Sequence, residues 1–129
     1  MQYLLLIYRQ EGSATSAASD EEMASDRAAY GAFTVETHER KQFVAGEALE
    51  PTSTATSVRI RDGQVFVTDG PFAETKEALG GFYLLECRDL DEAIEMAAKI
   101  PAARSGTIEV RPIWTLPAEY SMTGGGNAS

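Results

Sequence analysis

One cysteine, one histidine and 11 basic residues are all that 129 residues contain. A lone Cys87 rules out a disulfide or a thiolate metal centre within one chain. It closes an apolar run, so it reads as a buried structural thiol and not as a nucleophile. A lone His38 with scattered carboxylates gives no zinc spacing, so no metal site is expected. No cofactor fingerprint is present either, and no cofactor is expected. The 11 bases face 20 acids, for a net charge of −9. That balance argues against nucleic acid, whose phosphates need a basic surface, and against an anionic membrane. It leaves a basic partner protein open and also serves solubility. No apolar run approaches the ~20 residues that span a bilayer. The start, Met1 to Tyr8, has neither a basic n-region nor a small-residue cleavage site, so it is no signal peptide. The cytoplasm is the expected compartment.

What is present is an ordinary globular balance, 43% hydrophobic and 24% charged residues. The length suits one domain. Tyr3–Tyr8 is a short, continuously apolar run and reads as a central strand buried on both faces. Glu11–Ala18 is a Gly/Ser/Thr/Ala loop. A helix should start at Ser19, which forms a capping box with Glu22, and run to Arg40 or Lys41. Met23, Tyr30, Phe33 and Thr37 would form its inner stripe.

Phe43–Leu49 is a second strand, in which Gly46 marks a bulge or a close approach. Ala55–Arg61 and Gln64–Asp69 flank Asp62-Gly63, a strong type I′ hairpin signal. Gly81–Cys87 is a strand, and Asp89 with Glu92 opens a second helix that Pro101 stops. Leu90, Ala93, Ile94, Ala97 and Ile100 would be its apolar stripe. Thr107–Trp114 is the last strand, with Ile108 and Val110 opposite Glu109, Arg111 and Ile113. Residues 117–129 are an extension whose Gly/Ser-rich end, Thr123–Ser129, should be disordered.

The order β–α–β–hairpin–β–α–β predicts an α+β fold, a ferredoxin-like plait with an antiparallel sheet and both helices on one face. The other face would be bare and apolar. A four-stranded sheet presents on the order of 300 Å² in projection. A second copy is the natural cover, and a standard interface buries about 800 Å² per partner. The hairpin and the segment after Trp114 should therefore contribute to a homodimer.

The segment Asp69-Gly70-Pro71-Phe72-Ala73-Glu74-Thr75-Lys76-Glu77, followed by Gly80-Gly81-Phe82, carries its own chemistry. Asp69 can accept hydrogen bonds from the turn, Gly70 permits positive φ and Pro71 fixes φ. Phe72 is then aimed at one place, onto the core or across a dimer. Such a loop is either the wall of a ligand cleft or a stiff connection with solvated charges.

These nine residues resemble the signature of the DGPF branch of the YCII-related family. Tyr3–Tyr8, Gly81-Phe82-Tyr83, Asp91-Glu92-Ala93-Ile94 and Glu109-Val110-Arg111-Pro112 agree with it, so the resemblance spans Gln2 to Trp114 and a domain of residues 1–116. It implies a ferredoxin-like, dimeric α/β-barrel fold. Some family members carry a His on the first helix and an Asp just before the Pro that ends the second. Here Ile100 precedes Pro101 and the histidine is late in its helix, so that pair is not carried over. The family's frequent association with extracytoplasmic-function sigma factors suggests a regulatory connection.

The candidates for a catalytic role are His38 and Asp69. His38 in Thr37-His38-Glu39-Arg40-Lys41 could be a general base or could complement the helix dipole. The candidates for ligand binding are Asp69, Arg111, Glu74, Lys76 and Tyr83. Arg111 would face away from Ile108 and Val110 and needs a partner there, from Asp69, Glu109 or Glu74. Alternatively it binds a carboxylate ligand. Two functions remain: a dimeric small-molecule binder or weak enzyme with a cleft at the Asp69–Lys76 loop, and a regulatory protein partner using clustered surface acids.

Overall fold

The computed structural model of the protein describes residues 1–11 and 20–120. Ser19, the side chains of Glu22 and Met23, most of the Glu11–Ala18 loop and the Thr123–Ser129 tail lie outside the described residues.

The described chain is α+β, with two antiparallel sheets and two α-helices. The strands are β1 (Gln2–Arg9), β2 (Phe43–Ala48), β3 (Thr56–Arg61), β4 (Gln64–Asp69), β5 (Ala78–Glu86) and β6 (Thr107–Pro112). The helices are α1 (Asp20–Glu39) and α2 (Leu90–Ala97). The main sheet has the order β2-β5-β1-β6, and β3 pairs only with β4. Neither sheet closes into a barrel within one chain.

Strand β1 is central, with β5 on one side and β6 on the other. Its alternation decides the layering. Tyr3, Leu5 and Ile7 are buried, while Leu4, Leu6 and Tyr8 are half-buried. The expectation of burial on both faces is therefore corrected: within one chain only one face is covered. Both helices lie on that face. Phe33 of α1, and Ala93, Met96 and Ala97 of α2, pack with Ile100 against Tyr3, Leu5, Tyr83 and Leu85. Fully burying a side chain such as Leu5 or Leu85 contributes about 1.5–3 kcal/mol.

Helix α2 starts where its cap dictates. The Asp89 carboxylate accepts a hydrogen bond from the Glu92 amide at 2.9 Å, satisfying a donor that the first turn leaves free. This phase turns Glu92, Ala93, Met96 and Ala97 inward. Leu90 and Ile94, expected in the apolar stripe, are instead exposed on its flank. Glu92 is buried because it has work to do at its end of the helix layer. It accepts from the Arg88 amide at 2.7 Å, from the Arg88 guanidinium at 3.1 Å and from Arg40 at 3.4 Å.

The hairpin turn has φ of 51° at Asp62 and 77° at Gly63, the left-handed geometry that a type I′ turn requires. Val58, Ile60, Val65 and Val67 are each more than 60% exposed. A free two-stranded hairpin is marginal in water. Its base is tied by Gly70 N–H to Ala55 carbonyl (2.7 Å) and by Ser57 hydroxyl to Gly70 carbonyl (2.8 Å). Phe72 is 78% exposed, so within one chain it does not return to the core. No helix among the described residues is long and apolar enough to cross a membrane.

Candidate functional site

A cavity of about 520 Å³ lies between α1 and the helix-covered face of the sheet. Its origin is a run of small residues on neighbouring strands. Gly46 and Ala48 of β2 and Gly80 and Gly81 of β5 line it and hold no bulk there. At Gly46 the absence is required, since a Cβ would stand 2.8 Å from the Tyr83 ring. The bulge between Phe43 and Ala45 shifts β2 by one residue against β5 and brings Gly46 beneath that ring. Gly81 is equally constrained, because a Cβ would lie 2.9 Å from the Glu47 carbonyl oxygen.

The walls are aromatic and hydroxylic. The Tyr83 ring meets Phe33 edge-on at 4.8 Å and Phe43 at 6.4 Å. Its hydroxyl lies 3.3 Å from the Thr34 hydroxyl, which itself donates to the Tyr30 carbonyl at 3.0 Å. Arg27, Tyr30 and Thr34 line the cavity at i, i+3 and i+7 and so share one face of α1. Arg9, at the end of β1, lines it from the sheet side. Burial pushes the Tyr30 hydroxyl pKa up, and the nearby Arg9 charge opposes that rise, as does a hydrogen bond with the Ala102 backbone. Glu47 borders the cavity, but strand alternation after Gly46 turns its side chain to the opposite face.

Of the candidate site residues, His38, Asp69, Glu74, Lys76, Tyr83 and Arg111, only Tyr83 lines this cavity. Arg111 does face away from Ile108 and Val110, and its partner is Glu109, which accepts from Nε at 3.0 Å and from Nη2. That ion pair raises the Arg111 pKa. Asp69 ends β4, paired with Thr56 across the hairpin. Glu74 and Lys76 are exposed in the loop that leads into β5. His38 sits in the last turn of α1 and stacks on Phe43 with ring centroids 4.2 Å apart. The structure thus brings together Tyr83 with Arg9, Arg27, Tyr30 and Thr34, and does not join Asp69 to Arg111. Helical spacing could have grouped Arg27, Tyr30 and Thr34. Nothing in the linear sequence ties them to Arg9 or to the glycines.

A second cavity of about 360 Å³ lies beside Arg40, Gln42, Cys87 and Glu92. The Gln42 amide is buried there, and neither of its polar atoms has a hydrogen-bond partner among the described residues. Cys87 is buried, and its thiol pKa is pushed up by burial and by the Glu92 carboxylate.

An antiparallel sheet with two helices on one face, and a cavity between that face and one of them, make a small α+β domain. The sequence model of the YCII-related domain matches residues 1–117. The chain belongs to the YCII-related family. It is similar to the uncharacterized protein R00369 of Rhizobium meliloti (strain 1021), with 40% identity over 122 residues, covering 88% of this chain and 92% of that protein.

Proposed function

We propose that this protein is a homodimeric small-molecule binder whose ligand occupies the cavity between α1 and the β2–β5 side of the sheet. The observation that carries the reading is the cavity itself. Its volume falls within the ~300–1,000 Å³ range of ligand sites. It combines an apolar, aromatic wall with a few convergent polar groups, the arrangement by which such sites gain affinity and orientation together. Asp69, Glu74 and Lys76 are assigned to its approach, since their loop runs directly into Gly80 and Gly81. Among the described residues no histidine or cysteine lines the cavity, so binding is a simpler role than acid–base or covalent catalysis.

The strand order β2-β5-β1-β6, with both helices on one face, supports reading the fold as a ferredoxin-like plait, and its bare face supports the dimer. Leu4 lies opposite Leu84, and Leu6 opposite Phe82, on that face. The hairpin, Phe72 and Trp114 add further exposed apolar side chains, of the kind that interfaces cover. A second copy placed sheet to sheet would cover that face and complete the two-chain barrel. A regulatory role through clustered acids has less support, because Glu36, Glu92, Glu95 and Glu109 are each within ion-pair distance of a cation.

A thermal-shift screen against a broad panel of acidic, basic and neutral metabolites tests the reading. A ligand at about 100 times its dissociation constant should stabilise by about 2.7 kcal/mol. For a domain of this size that is a rise of roughly 10 °C. Ala48→Trp, which fills the cavity from β2, should abolish the rise. A shift that persists in the Ala48→Trp protein would place the ligand elsewhere.

A further inference from the structure

We infer that the ligand of this cavity is a small organic acid, with its carboxylate held by Arg9 and Arg27 and its apolar body lying against Tyr83 and Phe43. This rests on the cavity being the binding site and adds the chemical class of the ligand. The chain is acidic overall, with a net charge of −9. Of the three charged residues that line this cavity, Arg9, Arg27 and Glu47, two carry guanidiniums, one from the end of β1 and one from α1, and strand alternation turns the Glu47 side chain to the opposite face. Among the described residues neither guanidinium has a carboxylate within the 4.0 Å of an ion pair. Arg40, Arg88, Arg111 and Lys99 do have one, while Lys41, Arg59, Arg61, Lys76 and Arg104, which do not line this cavity, also have none among the described residues. As far as the described residues go, both cations at the cavity can therefore receive an incoming anion.

Their position also fits. Arg27 lies at i−3 from Tyr30 and i−7 from Thr34, on the same stripe of α1. The Arg9 charge reaches the Tyr30 hydroxyl, while the carboxylate of Asp26, outside the cavity lining, acts on it more weakly. The Arg9 side chain passes beside Gly80, its Nε 3.4 Å from where a Cβ would stand, which is ordinary contact distance. A planar guanidinium fork matches a carboxylate with two parallel hydrogen bonds. Tyr83 and Phe43 line the same open cavity, about 520 Å³ in volume. The guanidiniums suit an anion, and the aromatic side chains suit a ring or a short aliphatic chain. The Tyr83 and Thr34 hydroxyls can serve a second polar group on that body.

Titration calorimetry on the intact protein with about ten aryl and alkyl monocarboxylates, phenylacetate among them, and with the amide of each, is the test. At least one acid should bind ten-fold or more tightly than its amide. That preference should weaken with added salt and disappear in Arg27→Gln and Arg9→Gln. Both arginines are exposed, so neutral substitution should leave the fold intact, which circular dichroism checks. Equal affinity for acid and amide, abolished by Ala48→Trp, would overturn the assignment of an acid while leaving the cavity as a binding site. An acid preference that survives both arginine substitutions would overturn the role of Arg9 and Arg27. No binding of any acid or amide, in a protein that does respond to other compounds in the thermal screen, would overturn the ligand class. No response in either experiment would defeat the cavity reading itself.

Discussion

At the scale of single residues, the helix side of the molecule is held by a compact charge network. Glu36 accepts from Lys99 Nζ at 2.6 Å and from Arg40 Nη1 at 3.1 Å. Hydrogen bonds from Lys99 first, and from Arg40 second, hold the Glu36 carboxyl below its usual value of 4.5. A carboxyl with a depressed folded-state pKa adds stability above its unfolded value and loses it as pH falls through the folded value. Glu36→Gln should therefore be less stable than the parent at pH 7, and the gap should narrow as pH drops below 4.5. Urea midpoints of both proteins at neutral and acid pH measure this. A gap that is constant with pH would mean the network contributes through packing alone. Lys99 and Glu36 are 63 residues apart, so no local pattern could have announced their contact. The pairing of Arg111 with Glu109, two residues away on one strand face, was open to sequence reasoning and was among the partners it offered.

At the scale of elements, local chemistry is decisive where it is strong. The Asp62-Gly63 turn adopts the backbone its residues favour, and β4 spans the same residues that the alternation marks. The Asp89 cap is likewise explicit in sequence and present in space. Asp89→Ala should remove that hydrogen bond and cost about 1 kcal/mol, within a range of ~0.5–2. A shift in the chemical denaturation midpoint with unchanged slope would register it. No loss would show that the α2 terminus is satisfied by other groups. What the alternation of apolar residues missed was phase. Leu90 and Ile94 looked like core, but the cap rotates α2 so that Met96 takes the buried position and Glu92 the paired one. The cavity was illegible for a related reason. It is a volume left by Gly46, Ala48, Gly80 and Gly81, and small residues signal turns or bulges in a sequence, not space beneath a helix that comes earlier in the chain.

At the scale of the whole molecule, one chain covers one face of its sheet and leaves the other, with the β3–β4 hairpin, exposed. The proposed homodimer accounts for both. Sedimentation velocity should give twice the mass of one chain, and Phe66→Asp on the hairpin should shift it toward monomer. A monomeric parent protein at micromolar concentration would contradict the assembly but leave the cavity untouched, since α1, β1, β2 and β5 of one chain line it. Binding in that cavity is read out residue by residue in an amide NMR titration with the compound that stabilises most in the thermal screen. Shifts should concentrate at Thr34, Gly46, Gly80 and Gly81, at the meeting of α1, β2 and β5. Shifts confined to Asp69, Arg111 and the hairpin, with those four amides unmoved, would contradict it.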